Sequence, residues 1–216
     1  MSTRIAKRSL AMRKEPRQSR SRVTVEAILD AGARILSDEG WAAFTTNRVA
    51  EVAGVSIGSL YQYFPDKLSL VDAIRSRHLE DSMAVLRGAQ ADALSPSAFA
   101  VSVVRGMIAA HSRYPGLHRV LLDEAPATDD YRDPDSEFEV AFLGLYAKAI
   151  ASCRKGAVTT EDREAARILS DAIDGVIHNA ARRGTLGDPA VASGLVRLVS
   201  LYLGDASASP PGPVVN

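Results

Sequence analysis

The chain has 216 residues, 46% of them hydrophobic, which is enough for a folded core and excludes a wholly disordered protein. The single cysteine, Cys153, excludes an internal disulfide and favours a reducing compartment, while no apolar run reaches the ~18–20 residues of a membrane span. The formal net charge of zero excludes neither an acidic nor a basic partner, because the charges are unevenly distributed. We therefore expect a soluble cytoplasmic protein with no membrane partner.

Basic residues are concentrated at the N-terminus. Residues 1–22 hold eight of the 26 Lys and Arg residues and one of the 26 acidic residues, so the rest of the chain keeps 18 basic and 25 acidic residues. A basic arm on a mildly acidic body favours contact with a polyanion, although a disordered solubilising tail has the same composition. The sequence leaves both interpretations of this arm open.

Four helices are predicted in the N-terminal third. Val25, Ile28, Leu29 and Leu36 recur at helical spacing, and Gly40 is a natural terminator. Two short helices follow, separated by Gly54, and Asp66 is placed to cap a longer one. The predicted bounds of these last three are 46–53, 56–63 and 67 to about 87.

The remaining chain has clear helix start signals. Ser95-Pro96 and Asp188-Pro189 place a capping residue before a proline, Asp133-Pro134 has the same pattern, and Thr159 precedes two acids. We expect helices at about 96–113, 117–124, 135–154, 160–183 and 189–203, a loop at 125–134 and a disordered tail at 205–216. The prediction is an all-α fold of about nine helices, in which a three-helix N-terminal module precedes a larger helical body.

The segment between the second and third helices has the chemistry of a DNA-reading turn. In Ala53-Gly54-Val55-Ser56, the glycine supplies a positive φ and the serine caps the third helix. The first positions of that helix, Ile57, Gly58 and Ser59, are slim enough to approach base edges in the major groove. Tyr61, Tyr63 and Lys67 are predicted on the outer face, where such groups bind phosphate oxygens.

This region resembles the DNA-binding domain of the TetR/AcrR family of bacterial regulators. The match extends over residues 24–70 without a gap and includes the following motifs: Ile28-Leu29-Asp30-Ala31, Gly40-Trp41, Thr45-Thr46, Val49-Ala50, Ala53-Gly54-Val55-Ser56, Gly58-Ser59-Leu60-Tyr61 and Tyr63-Phe64-Pro65-Asp66-Lys67. The resemblance implies four segments: a basic disordered arm at 1–22, a helix-turn-helix domain at 23–70, an effector-binding and dimerisation domain at 71–204, and the disordered tail at 205–216.

The resemblance also implies roles for individual residues of the module. Thr46 and Asn47 are expected near the phosphates, and Arg48 near either the backbone or a base. Base-edge or methyl contacts are implied for Ile57, Gly58 and Ser59, and backbone contacts for Ser56, Tyr61, Tyr63 and Lys67. Trp41 and Phe44 are interpreted as hydrophobic anchors between the first two helices.

The last helix is apolar around much of its circumference, and the helix before it has a continuous apolar face, which together favour a homodimer held by a four-helix bundle. The interface is predicted to contain Ile173, Val176, Ile177, Ala180, Leu195, Leu198, Val199 and Tyr202. Alternatively, both helices cover only the core of their own subunit.

The middle helices carry an aromatic and Met-bearing set that suits a pocket for an apolar small molecule. This set consists of Phe99, Val103, Met107, His111, His118, Leu122, Phe138, Phe142 and Tyr146. Each of these side chains alternatively fills the core. His111 and His118 are candidate polar anchors, and either is alternatively a surface histidine.

No cofactor, metal or catalytic site is predicted. Asp171, Asp174 and His178 share one helical stripe, but Arg167 and Arg182 continue it, which favours an exposed ladder of charges. Nucleotide-binding, hydrolase and metalloprotease motifs are missing, so an enzyme is not expected.

The predicted function is a ligand-responsive repressor that binds a palindromic DNA operator as a dimer and is released by a small, largely apolar effector. The resemblance implies that this repressor is bacterial and is associated with the nucleoid when bound to DNA. The alternative is a DNA-binding protein of the same fold controlled by a protein partner.

Overall fold

The computed structural model describes residues 19–91, 94–126 and 136–204, which form nine helices and no strand. The prediction of an all-α fold is confirmed. The helices are α1 Ser19–Ala43, α2 Thr46–Ala53, α3 Ile57–Tyr63, α4 Lys67–Ala91, α5 Pro96–Ser112, α6 Leu117–Arg119 continued by a π-helical turn Val120–Glu124, α7 Glu137–Cys153, α8 Thr160–Arg182 and α9 Pro189–Gly204. Within the described ranges, no helix combines the length with the apolarity that a membrane span requires.

Most helix ends follow the signals in the sequence. The Ser56, Ser95 and Thr159 side chains each accept a hydrogen bond from a backbone N–H of the first turn of α3, α5 and α8, respectively. Thr159 forms a full capping box with Asp162, whose carboxylate accepts from the Thr159 N–H in return. The Asp66 carboxylate accepts from Ser69 N at 2.8 Å at the start of α4.

The helical backbone of α1 is broken at the predicted terminator Gly40, whose φ of 79° and ψ of −178° are non-helical. Three other predicted boundaries differ from the structure. Helix α1 already begins at Ser19, so the prediction of a disordered arm is wrong for residues 19–22. Helix α4 continues to Ala91 rather than to about residue 87. Helix α7 begins after Ser136, whose side chain accepts from Glu139 N, whereas the predicted cap at residues 133–134 lies outside the described residues. The predicted tail at 205–216, the arm at 1–18 and most of the predicted loop at 125–134 also lie outside them.

The chain divides into two compact units. Among the described residues, the first contains 19–79 and 116–126, and the second contains 80–91, 94–115 and 136–204. The first unit extends beyond residue 70 and includes α6. The boundary at residue 70 between a DNA-binding and an effector-binding domain stays a prediction.

Long-range contacts explain why α6 belongs to the first unit. The Gly116 N–H donates to Ser37 Oγ at 3.1 Å, and the Trp41 N–H donates to the Glu124 carboxylate at 3.1 Å. Arg75, which is buried on α4, donates to the Pro126 carbonyl at 3.0 Å. The segment from 116 to 126 is therefore hydrogen-bonded to the C-terminal part of α1 and to α4. No local sequence pattern predicts these hydrogen bonds, because their partners are far apart in the chain.

Gly116 is the position in this segment where a side chain has no room. A Cβ atom built there lies 2.2 Å from the Ser37 carbonyl oxygen, a backbone atom that cannot rotate away. We expect Gly116→Ala to lower the free energy of unfolding by about 1–3 kcal/mol, the usual cost of overpacking. Urea unfolding followed by circular dichroism measures this difference.

Gly144→Ala is the matched control, because its Cβ meets nothing within 4 Å and it lies in the interior of α7. This substitution is expected to leave stability unchanged or to raise it by about 0.5–1 kcal/mol. Equal stability of Gly116→Ala and the wild type would contradict the close approach to Ser37.

The second unit is built around one hydrophobic core. Helix α5 packs against α7, α8 and α9, and α8 packs against α7 and α9. The close approach of Gly106 on α5 to Val85 adds the C-terminal part of α4. Buried core side chains include Leu86, Phe99, Val103, Met107, Tyr146, Ile150, Leu169, Ile173, Ile177, Ala180, Leu195 and Val199.

This burial corrects part of the predicted dimer interface. Ile173, Ile177, Ala180, Leu195 and Val199 are at most 2% exposed within the single chain, so they have no surface to offer a second subunit. They fill the core of their own subunit, which was the alternative interpretation. Of the predicted interface residues, Val176 is half-buried, and Leu198 and Tyr202 are exposed.

Candidate nucleic-acid interface

The turn between α2 and α3 has the geometry that the sequence predicts. Gly54 adopts the left-handed conformation, with φ 67° and ψ 30°, and its N–H donates to the Glu51 carbonyl. The Val55 N–H donates to the Ala50 carbonyl at 3.0 Å, which completes the helix end. Because an L side chain is strained at this φ, glycine fits this position best, and the turn sets the angle between the two helices.

The first turn of α3 presents a slim surface to solvent. Ser56, Ile57 and Gly58 are exposed, and Ser59 is half-buried. The Ser56 hydroxyl accepts from Ser59 N at 3.0 Å and shares a 2.8 Å hydrogen bond with the Ser59 hydroxyl. Helix α3 is held from behind by Leu60, which is fully buried. The exposed edge is therefore both rigid and free of long side chains.

Hydroxyl groups of α2 and α3 meet beside this edge. The Thr46 and Tyr61 hydroxyls form a 3.1 Å hydrogen bond, and Tyr61 is 42% exposed. Asn47, the next residue of α2, is also exposed. Each of these three side chains carries hydrogen-bond donors and acceptors. Hydroxyl and amide donors of this kind bind phosphate oxygens.

Arg48 lies near these hydroxyls but is already paired. Its guanidinium donates to Glu51 at 3.2 Å and to Glu39 at 3.3 Å. The hydrogen bond to Glu51 and then the one to Glu39 raise its pKa above the ordinary arginine value. The structure thus gives Arg48 two acidic partners that the sequence analysis did not assign, and a DNA contact requires exchange of at least one of them.

Two predicted phosphate-binding side chains are placed differently. Tyr63 is 9% exposed, so the prediction that it lies on the outer face is wrong. The Lys67 ammonium donates to the Trp41 carbonyl at 3.2 Å and lies 3.6 Å from the centre of the Trp41 ring. Burial lowers the pKa of Lys67. Lys67 therefore joins α4 to the end of α1, where Trp41 stacks on the fully buried Phe44, as expected of these two anchors.

The predicted effector-binding residues are divided between the two units. His118 and Leu122 belong to the first, where His118 Nδ1 lies 3.0 Å from His78 Nε2. The second unit contains the rest of the set: Phe99, Val103, Met107, His111 and Tyr146 are buried, and Phe138 and Phe142 are half-buried. In α7, Phe142 stacks on Phe138 and meets Tyr146 edge-on, with ring centres 5.5 and 5.4 Å apart.

An exposed apolar surface lies on the last two helices of the second unit. Leu198, Leu201 and Tyr202 on α9 are 44%, 55% and 37% exposed, and Ile168 on α8 is 51% exposed. Ile168 and Leu201 were not among the predicted interface residues. The signal for them was available, because the chain has more apolar positions on these helices than one buried face can hold.

Comparisons with known proteins agree with this architecture. Residues 28–74 match the family model described as bacterial regulatory proteins, tetR family, and residues 95–203 match a tetracyclin repressor-like C-terminal domain. The chain is 31% identical over 188 residues to the HTH-type transcriptional repressor KstR of Rhodococcus jostii, covering 85% of this chain and 84% of that protein.

Two solved structures illustrate the shared fold. The fatty acid degradation regulator FadR of Bacillus halodurans has a TM-score of 0.68 at 18% identity, covering 89% of this chain and 98% of that one. A SmeT–triclosan complex has a TM-score of 0.58 at 21% identity, covering 89% of this chain and 97% of that one. At these identities the likeness concerns the fold alone.

Proposed function

The chain belongs to the TetR family of bacterial regulatory proteins, and from this we propose that it represses transcription as a homodimer that a small apolar effector releases from a palindromic operator. DNA binding by a helix-turn-helix is the part of this function that the family and its repressor relatives establish. The observation that carries the rest of the DNA-binding proposal is the exposed, slim first turn of α3, rigidly capped by Ser56.

We place this edge in the major groove. A groove roughly 12 Å wide admits a helix, and the slim Ile57, Gly58 and Ser59 allow the backbone of α3 to approach the bases. Ile57 has no hydrogen-bonding side-chain atoms, so it contributes apolar contact with thymine methyl groups. Thr46, Asn47 and Tyr61 then bind flanking phosphates and fix the register.

The dimer is proposed on the exposed apolar surface of α8 and α9. Four large apolar side chains there, Ile168, Leu198, Leu201 and Tyr202, are each more than a third exposed in the single chain. Pairing this surface with its copy by a two-fold axis removes it from water. A two-fold dimer also presents two reading helices to two half-sites, which accounts for a palindromic operator.

The effector is proposed to be a largely apolar small molecule bound within the second unit. The half-buried Phe138 and Phe142 adjoin the buried Tyr146, and their stacked rings offer an apolar surface near a phenol. Two proteins of similar fold support the chemical class: one is described in complex with triclosan, and the other as a regulator of fatty acid degradation.

The experiment that tests this function is fluorescence anisotropy with DNA from the region upstream of the chain's own gene. We expect saturable binding that a random duplex of equal length does not compete away at equal concentration. Triclosan or a long-chain fatty acid is expected to weaken that binding, with a coupling of ~1–3 kcal/mol. Specific binding that neither compound changes would contradict effector release while leaving the operator proposal intact.

Tyr61→Phe tests the proposed phosphate contact. This change removes the hydroxyl that bonds Thr46 and keeps the ring, so the fold should be unaffected. We expect DNA affinity to fall about 5–150-fold for specific and random duplexes alike, because two subunits each lose a bond worth ~0.5–1.5 kcal/mol.

Ser97→Ala is the control, since it removes an exposed hydroxyl on α5 that shares a 3.3 Å hydrogen bond with Ser95 Oγ, outside both the module and the proposed dimer surface. Its DNA affinity should equal that of the wild type. If Tyr61→Phe weakens only the specific complex, Tyr61 reads a base and the assignment to the phosphates is wrong.

A further inference from the structure

Two helices of the second unit bring metal-binding side chains together. His111 on α5 and His178 on α8 have ring centres 5.0 Å apart. Asp174 lies one turn before His178, and its Oδ2 atom is 3.0 Å from His178 Nδ1. One ligand atom from each of the three residues lies within 4.8 Å of the others. Helical spacing in the sequence indicates that Asp174 and His178 share one stripe of α8. It does not indicate that His111, on α5, lies beside them.

The environment of His111 fixes which of its nitrogens can bind a cation. His111 is 7% exposed, and its Nδ1 atom lies 2.8 Å from the Met107 carbonyl oxygen. A carbonyl oxygen only accepts, so Nδ1 carries the proton and the lone pair of the neutral ring is on Nε2. A backbone carbonyl that orients the ring in this way is a usual partner of metal-binding histidines.

One member of this group of three residues is accessible from solvent. The Asp174 side chain is 51% exposed, so an ion can reach the group from solvent.

We propose that His111, Asp174 and His178 bind one divalent transition-metal ion of the zinc type, with water completing the coordination. Zinc bonds to imidazole and carboxylate of roughly 2.0–2.2 Å place neighbouring ligand atoms about 3.3 Å apart in a tetrahedron. Asp174 Oδ2 and His178 Nδ1 are already 3.0 Å apart, and the proton that Nδ1 donates to Asp174 leaves to solvent when the ion binds. Two imidazoles and one carboxylate favour zinc, cobalt or nickel over magnesium and calcium, which prefer oxygen ligands throughout.

Such an ion would join α5 to α8, so binding should stabilise the second unit. The full-length protein, freed of metal with a chelator, is titrated with zinc chloride while its melting temperature is recorded. We expect the melting temperature to rise by several degrees with zinc, to return with excess chelator, and to stay unchanged with magnesium. Cobalt substitution is expected to give the intense visible absorption of a tetrahedral site.

Variants distinguish this site from adventitious binding. Because His111 is buried, the test relies on the more accessible His178 and Asp174. We expect His178→Gln to weaken zinc binding at least ~100-fold and Asp174→Asn at least ~10-fold, as loss of a ligand or its supporting group usually does. Asp171→Asn, one turn earlier on the same helix, is the matched control and should bind zinc like the wild type.

Three results would overturn the proposal. The first is a wild-type protein whose melting temperature and cobalt spectrum do not respond to metal. The second is a zinc affinity that falls equally in Asp171→Asn, because this residue lies outside the three proposed ligands. The third is a cobalt spectrum that is unchanged by His178→Gln.

Discussion

Deletion of residues 2–18 is expected to weaken operator binding at least ~30-fold near physiological salt and to flatten its salt dependence. The deleted segment contains six basic residues and one acidic residue, and it ends before α1 begins at Ser19. Residues 24–70, by contrast, hold three basic and six acidic residues. Of those three, Arg48 is paired with two glutamates and Lys67 binds the Trp41 carbonyl, so the module itself offers little free positive charge.

Counterion release sets the size of this effect. Each phosphate neutralised on duplex DNA contributes about 0.9 to the slope of log affinity against log salt. If the arm of each subunit makes even a few such contacts, removing both arms lowers the slope by several units. Anisotropy titrations between about 50 and 200 mM salt measure the affinity and the slope together.

A charge-retaining variant is the control for the deletion. Exchanging every Lys for Arg and every Arg for Lys within 2–18 keeps the charge of the arm while changing its sequence, and it should bind like the wild type. Replacing the same residues with Gln should reproduce the deletion. An unchanged slope after deletion would mean that the arm is only a solubilising tail and that hydroxyl groups and helix ends hold the DNA.

The helix-turn-helix could be predicted closely because its determinants are local. The positive φ of Gly54 and the cap at Ser56 depend on residues within one turn, and both appear in the structure as expected. The outward direction of Tyr63 and Lys67 could not be predicted in the same way. Tyr63 is buried, and Lys67 binds a carbonyl 26 positions away.

The C-terminal half shows what periodicity can and cannot predict. An apolar stripe indicates that a helix face is buried, but it does not say whether its own subunit or a partner covers that face. Ile173 and Ile177 are in the core of the chain itself, whereas Leu198 on the neighbouring helix is 44% exposed. Contacts between distant segments, such as Gly116 with Ser37 and His111 with His178, carry no sequence signal in either partner alone.

Leu198 and Leu201 on α9 are exposed in the single chain and lie in the proposed dimer interface. We expect the wild type to be a dimer of twice 23.0 kDa. The double variant Leu198→Asp, Leu201→Asp is expected to be a folded monomer of 23.0 kDa. In the proposed dimer these two side chains are buried against a copy of the chain, and four buried aspartates per dimer would cost several kcal/mol. Size-exclusion chromatography with light scattering measures the mass.

The same variant should lose operator affinity at least ~100-fold, because a monomer holds only one half-site and forfeits the effective concentration that linkage provides. Val140→Asp is the matched control, since Val140 is 61% exposed on α7 and lies outside the proposed interface. It should remain dimeric and bind DNA normally. A double variant that stays dimeric would mean that the interface lies elsewhere. A monomer with undiminished operator affinity would mean that one module is sufficient for binding, and the reason for a palindromic operator would then be lost.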